Sequence, residues 1–102
     1  MHFLSLQTTL DTEKNALKLA NEIVKNNLGA CVQIQKIISV YPWDNKIHNE
    51  LEYAVTIKTT SKRVDALKTF IQENHPYDLP QIIVHKIVDG SDDYLDWIAD
   101  HT

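Results

Sequence analysis

The run Ala30-Cys31-Val32-Gln33-Ile34-Gln35-Lys36-Ile37-Ile38-Ser39-Val40-Tyr41 and the run Lys46 to Thr59, joined at Trp43-Asp44-Asn45-Lys46, decide the fold. In the first, Val32, Ile34, Ile38 and Val40 share one face, interrupted by Lys36. In the second, Ile47, Leu51, Tyr53, Val55 and Ile57 alternate with Glu50, Glu52, Thr56 and Lys58. Alternation of period two is the mark of a strand. Asn45 tolerates the left-handed backbone that a tight hairpin requires. Twelve residues at ~3.3 Å each span ~40 Å, whereas a compact chain of about 100 residues is only roughly 33 Å across. The ribbon is longer than its own domain, and exposed strand edges attract other strands. An oligomer is expected on this ground alone.

Outward from the ribbon the pattern is orderly. Phe3 to Thr8 reads as a short strand with Leu4 and Leu6 on one face. A helix is predicted from about Thr12 to Leu28, with Ala16, Ala20, Ile23, Val24 and Leu28 at helical spacing. Asp11 or Thr12 suits its start, and Gly29 the position past its end. After the ribbon, Ser61 can cap a second helix reaching Asn74, with Val64, Leu67, Phe70 and Ile71 as its apolar stripe; His75-Pro76 ends it. Gln81 to Val88 reads as a fourth strand, Asp89-Gly90 turns the chain, and Ser91 or Asp92 opens a terminal helix. The order β-α-β-β-α-β plus a helix predicts an α+β ferredoxin-like fold with a long central hairpin. The 102 residues make one domain, 1–102.

Composition narrows the function. A net charge of −4 disfavours a nucleic-acid surface. No apolar run approaches the ~20 residues of a membrane span. No signal peptide is evident, and the single cysteine, Cys31, fits a reducing compartment, so the cytoplasm is expected. The two glycines build no phosphate loop, and neither a nucleophile elbow nor a Cys-x-x-Cys pair occurs. No enzymatic signature is visible.

Among the five histidines, His48 shares a strand face with Glu50 and Glu52, a row able to chelate and equally able to be a solvated face. His75 sits where helix meets loop, either as a functional group or as a cation at the helix end. Cys31 is either a small buried hydrophobe or a ligand. Tyr41, Trp43, Tyr77, Tyr94 and Trp97 suit interfaces as well as ordinary packing.

Ala30-Cys31-Val32-Gln33-Ile34, Ser39 to Lys46, Ile57-Lys58-Thr59-Thr60, His75-Pro76-Tyr77-Asp78-Leu79-Pro80-Gln81-Ile82 and Asp93-Tyr94-Leu95-Asp96-Trp97 together resemble the CutA family of divalent-cation tolerance proteins, over nearly the whole chain. The resemblance implies a ferredoxin-like subunit in a homotrimer, architectural kinship with PII signalling proteins, a response to copper and other divalent metals, and no family-wide enzymatic reaction. The copper site of some bacterial members uses a cysteine ending the first strand and two histidines before Pro-Tyr. Here those positions are Thr8 and Asn74-His75, so only His75 remains. A soft Cu(I) site is poorly served without a thiolate.

The expected metal candidates are therefore His75 and Cys31, toward Cu or Zn as a loosely held divalent ion rather than a certain cofactor. Val40, Tyr41, Trp43, Tyr94 and Trp97 are expected at the oligomer interface, and Tyr41, Trp43, Lys58 and Tyr77 at an inter-subunit cleft. A second reading makes that cleft a PII-like site for a small anion or metabolite, with Lys58 supplying charge. A third makes the protein a structural hub that docks other proteins. Neither nucleic acid nor membrane is an expected partner.

Overall fold

The computed structural model describes residues 1–102, and its strands and helices follow the expected order. Strand β1 (Phe3–Leu10) leads into helix α1 (Glu13–Lys25); strands β2 (Cys31–Trp43) and β3 (Lys46–Thr60) form the ribbon. Helix α2 (Val64–Asn74), strand β4 (Ile83–Lys86) and helix α3 (Asp92–Asp100) complete the chain. The sheet is antiparallel in the order β2-β3-β1-β4. Asp44 and Asn45 both take positive φ, 52° and 61°, as a two-residue turn matched to strand twist requires.

Register sorts the side chains. Val32 faces Ile57, Ile34 faces Val55, and Leu6 and Leu10 face Ile57 and Tyr53 across the other edge of β3. These residues form the core with Ala16, Leu19 and Ile23 of α1 and Leu67 and Ile71 of α2. Helices α1 and α2 thus cover one face of the sheet. Cys31, Lys58 and Thr60 point to the other face, where α3 packs on β3 with Ile98 fully buried and Thr102 reaching Thr60 at 3.5 Å.

The ribbon overshoots as its length predicts. The molecule measures 45 × 25 × 21 Å. β1 ends at Leu10, opposite Tyr53, so the half of β3 from Lys46 to Glu52 is backed by β2 alone. There the core-side face is bare: Ile38 is 73% exposed, Val40 64%, Ile47 70% and Leu51 49%.

Several boundaries differ from expectation, each for a local reason. α1 stops at Lys25, and the left-handed residue that ends it is Asn27 (φ 57°), not Gly29. The Leu28 amide donates to the Ile23 carbonyl and the Asn27 amide to that of Val24, a Schellman motif closed by the apolar Ile23–Leu28 contact. Gly29 is needed for space instead, since a Cβ there would collide with Ile57 Cγ2 and stand 3.1 Å from Ile23 Cγ2. Thr12 caps α1, accepting from the Asn15 amide. Ser61 does not cap α2. It exchanges two hydrogen bonds with the His2 backbone and ties down the N-terminus, while Arg63 occupies the cap position.

β4 covers only Ile83–Lys86 of the expected Gln81–Val88. Odd-numbered carbonyls of β1 point toward β4, as Phe3 shows by accepting from the Ile87 amide. The next usable one, at Thr9, is taken by His75 Nε2 at 2.8 Å, and the ladder cannot extend there.

Gly29→Ala is expected to destabilise the protein by about 1–3 kcal/mol through overpacking, whereas Asn27→Gly should stay within about 0.5 kcal/mol of the parent. Urea denaturation of both variants checks the assignment; equal effects would refute it.

Candidate functional site

The side chains that carry chemistry gather under the free half of the ribbon. The segment after α2 crosses the edge of β1 and holds itself there through one imidazole. His75 Nδ1 accepts from the Tyr77 backbone amide at 3.1 Å, so Nδ1 bears no proton and Nε2 must donate to the Thr9 carbonyl. The ring is neutral and both nitrogens are committed. Burial pushes its pKa below the ordinary histidine value, and the Thr9 carbonyl and the Asp11 and Glu52 carboxylates only partly counter this.

That clasp aims Tyr77. Its ring meets the His75 ring edge-on, with centroids 4.7 Å apart, and its hydroxyl donates to Glu52 Oε2 at 2.7 Å. Burial, then the hydrogen bond to Glu52 and its negative charge, hold the phenol well above its ordinary pKa, so it remains a donor. Glu52 is only 8% exposed. In one chain no lysine or arginine pairs with it, and no protein donor reaches its second oxygen. A carboxylate so buried is usually paired.

Glu52 lines a cavity of about 690 Å³ between the ribbon and the loop after α2. Asp11, Glu50 and Asp78 bring three further carboxylates, and Tyr41, Trp43 and Tyr77 bring aromatic faces. No lysine, arginine or histidine lines it. Burial, and then Glu50 and Glu52, push the Tyr41 phenol pKa up. The cleft is therefore anionic and aromatic.

Of the expected cleft residues, Tyr41, Trp43 and Tyr77 meet here, and Lys58 does not. Lys58 lies beside Cys31 on the same sheet face but six residues along β3 from Glu52, about 20 Å at ~3.3 Å per residue, and donates to Gln33 at 2.7 Å. Within one chain it supplies no charge for an anion in this cleft. Nor do the two metal candidates converge: His75 sits at the Thr9 end of β1, and Cys31 approaches the Tyr94 hydroxyl at the other end. Tyr94 stacks on Trp97 at 5.7 Å and the His101 ring lies tilted against Trp97 at 4.8 Å, an aromatic row along α3 with Tyr94 and Trp97 half exposed. The His48–Glu50–Glu52 row is dispersed. His48 donates to the Trp43 carbonyl, approaches Glu50 at 3.6 Å, and Glu52 turns to Tyr77.

In one chain no three His, Cys, Asp or Glu side chains are placed to hold a metal ion. The residues of a single copy do not fit a divalent ion. No helix is long and apolar enough to cross a membrane.

His75 predicts a pH dependence. Its folded pKa lies below the unfolded value of about 6.5, so the unfolded chain binds the proton more readily. The stability this residue contributes is complete above about pH 6.5 and is lost as pH falls through that value toward the folded pKa. Thermal unfolding between pH 8 and 5 should show a shallower decline in His75→Gln than in the parent. Parallel curves would refute the assignment.

The family pattern described as CutA1 divalent ion tolerance protein matches residues 4–101. The Arabidopsis thaliana chloroplastic CutA protein is 39% identical over 95 residues, covering 92% of this chain. This chain spans about half the length (52%) of that plant relative. The Thermus thermophilus divalent-cation tolerance protein is 33% identical, with 92% of both chains aligned. The Synechococcus elongatus CutA structure superposes with a TM-score of 0.96 at 38% identity, covering 98% of this chain and 89% of that one.

Proposed function

The chain belongs to the CutA1 divalent ion tolerance family, and on that premise we propose that it serves the response to divalent metal ions, copper and zinc among them, as a non-enzymatic homotrimer. The observation that carries the reading is the bare stripe Ile38, Val40, Ile47 and Leu51 on the projecting ribbon. Full burial of one such side chain is worth about 1.5–3 kcal/mol, against a rigid-body cost of association of order 4–15 kcal/mol. Four per chain bring the burial gain into the range of that cost.

Two unlike edges favour a ring over an isologous dimer. β2 and β4 are the two borders of the sheet, and Leu79, Ile83, Val84 and Val88 expose apolar surface along or beside β4. An edge that meets a different edge on the next copy makes a head-to-tail contact, which yields a ring when the rotation between copies closes. The exposed Trp43 at the ribbon tip and the Tyr94–Trp97 row suit such contacts.

His75, committed at both nitrogens, is a poor ligand in this reading. An ion would take groups from more than one copy and be held weakly. The compartment stays open, since the Arabidopsis relative is named chloroplastic, and the single Cys31 favours a reducing one.

Light scattering should give three times the 11.7 kDa chain mass, falling toward one in the Ile38→Asp/Val40→Asp variant. A monomeric parent at micromolar concentration overturns the trimer. In calorimetric titration with Cu(II) and Zn(II), His75→Gln should stay within about twofold of the parent and the Ile38→Asp/Val40→Asp variant should lose binding. Loss confined to His75→Gln would overturn the expectation that ion binding is independent of this residue.

A further inference from the structure

We propose that the cavity beneath the ribbon is a binding site for a small organic ammonium cation, an alkylamine of one or more charges, with Glu52 as its anchor. Glu52 is a carboxylate nine-tenths removed from water without a cation beside it in the chain. Tyr77 satisfies only Oε2 and orients the group, and Oε1 is left to accept from something in the cavity. Only Thr8 Oγ1 is both buried and without a partner, so Glu52 Oε1 opens onto the cavity, and a carboxylate that Tyr77 satisfies only in part is expected to take its counter-charge from outside the chain.

The walls identify that counter-charge. A bare metal ion wants several convergent oxygens, and no three ligating side chains converge here. Its interaction would also leave the faces of Tyr41 and Trp43 and the side chains of Leu51 and Leu79 unused. An alkylammonium uses all of them. Its N–H groups donate to Glu52, aromatic faces attract its charge, and its methylenes cover the apolar wall. A cavity of about 690 Å³ lies within the range of small-molecule sites, roughly 300–1,000 Å³, and far exceeds one ion. Asp11, Glu50 and Asp78 around the same cavity favour a second positive group on the ligand and repel an anion. The proposal does not rest on a metal role; because Trp43, Leu51 and Leu79 also lie on the surfaces assigned above to contact between copies, the site falls at that contact in the assembly.

The probe is 1,5-diaminopentane, titrated calorimetrically into the intact protein at constant ionic strength, with pentanoate as the isosteric anion. The diamine should saturate a site; pentanoate should not bind. Glu52→Gln keeps the size and the acceptor for Tyr77, and should weaken the diamine at least tenfold; Asp65→Asn, exposed on α2, should leave it unchanged. Without ligand, Glu52→Gln should melt at or above the parent temperature, because a buried unpaired charge has been removed. Three results overturn the proposal. One is equal diamine affinity in parent and Glu52→Gln. Another is no saturable binding. The third is a lower melting temperature of ligand-free Glu52→Gln, which assigns the counter-charge to a lysine or arginine of a neighbouring copy.

Discussion

The register of β3 between its two neighbours governs the rest of the molecule. β3 pairs with β1 through Tyr53 to Thr60 and with β2 through Lys46 to Lys58. The same parity turns Tyr53, Val55 and Ile57 toward α1 and α2, and Glu52 and Lys58 toward the opposite face. A slip of one residue would exchange the two sets and drive Thr56 and the Lys58 ammonium into the helix-covered core. The buried leucines and isoleucines of β1, α1 and α2 hold that register only where β1 is present. Past Tyr53 the ribbon has two strands, and an isolated two-stranded ribbon is marginal in water. Its free half continues the register of the rooted half, and its apolar stripe is left uncovered in the single chain.

How much of this was legible depends on the range of the interaction. The ribbon, the order of elements and the two core-facing stripes follow from periodicity, which is local and repeats often enough to read. The end of α1 was harder, because Asn27 and Gly29 are both credible left-handed residues. Only the packing of Ile57 and Ile23 against Gly29 separates their roles. The shortness of β4 was not legible at all. It follows from a hydrogen bond between His75 and Thr9, 66 residues apart. The aromatic members of the cleft, Tyr41, Trp43 and Tyr77, were found through motif resemblance. Lys58 was grouped with them by the same route, and it shares their sheet face but stands six residues away along β3, at the end where Cys31 lies. Glu52 was the residue missed as an anchor: on an alternating strand it reads as solvated, and it is buried only because the loop after α2 lays Tyr77 against it.

One chain of contacts joins the architecture to the cleft. Thr9 receives His75, His75 receives the Tyr77 amide, and the Tyr77 hydroxyl holds Glu52. The segment that ends the β1–β4 ladder is therefore the one that fixes the carboxylate in the cavity. Burial lies behind each group's chemistry: it keeps His75 neutral, keeps the proton on Tyr77, and leaves Glu52 short of solvent. Removing the imidazole releases Thr9, loosens Tyr77 and alters the environment of Glu52, although the imidazole itself need never touch a ligand. A binding defect in a His75 variant is consequently ambiguous between ligation and positioning. The two separate at Glu52→Gln, which removes a charge from the cavity while leaving the clasp and its hydrogen bonds intact.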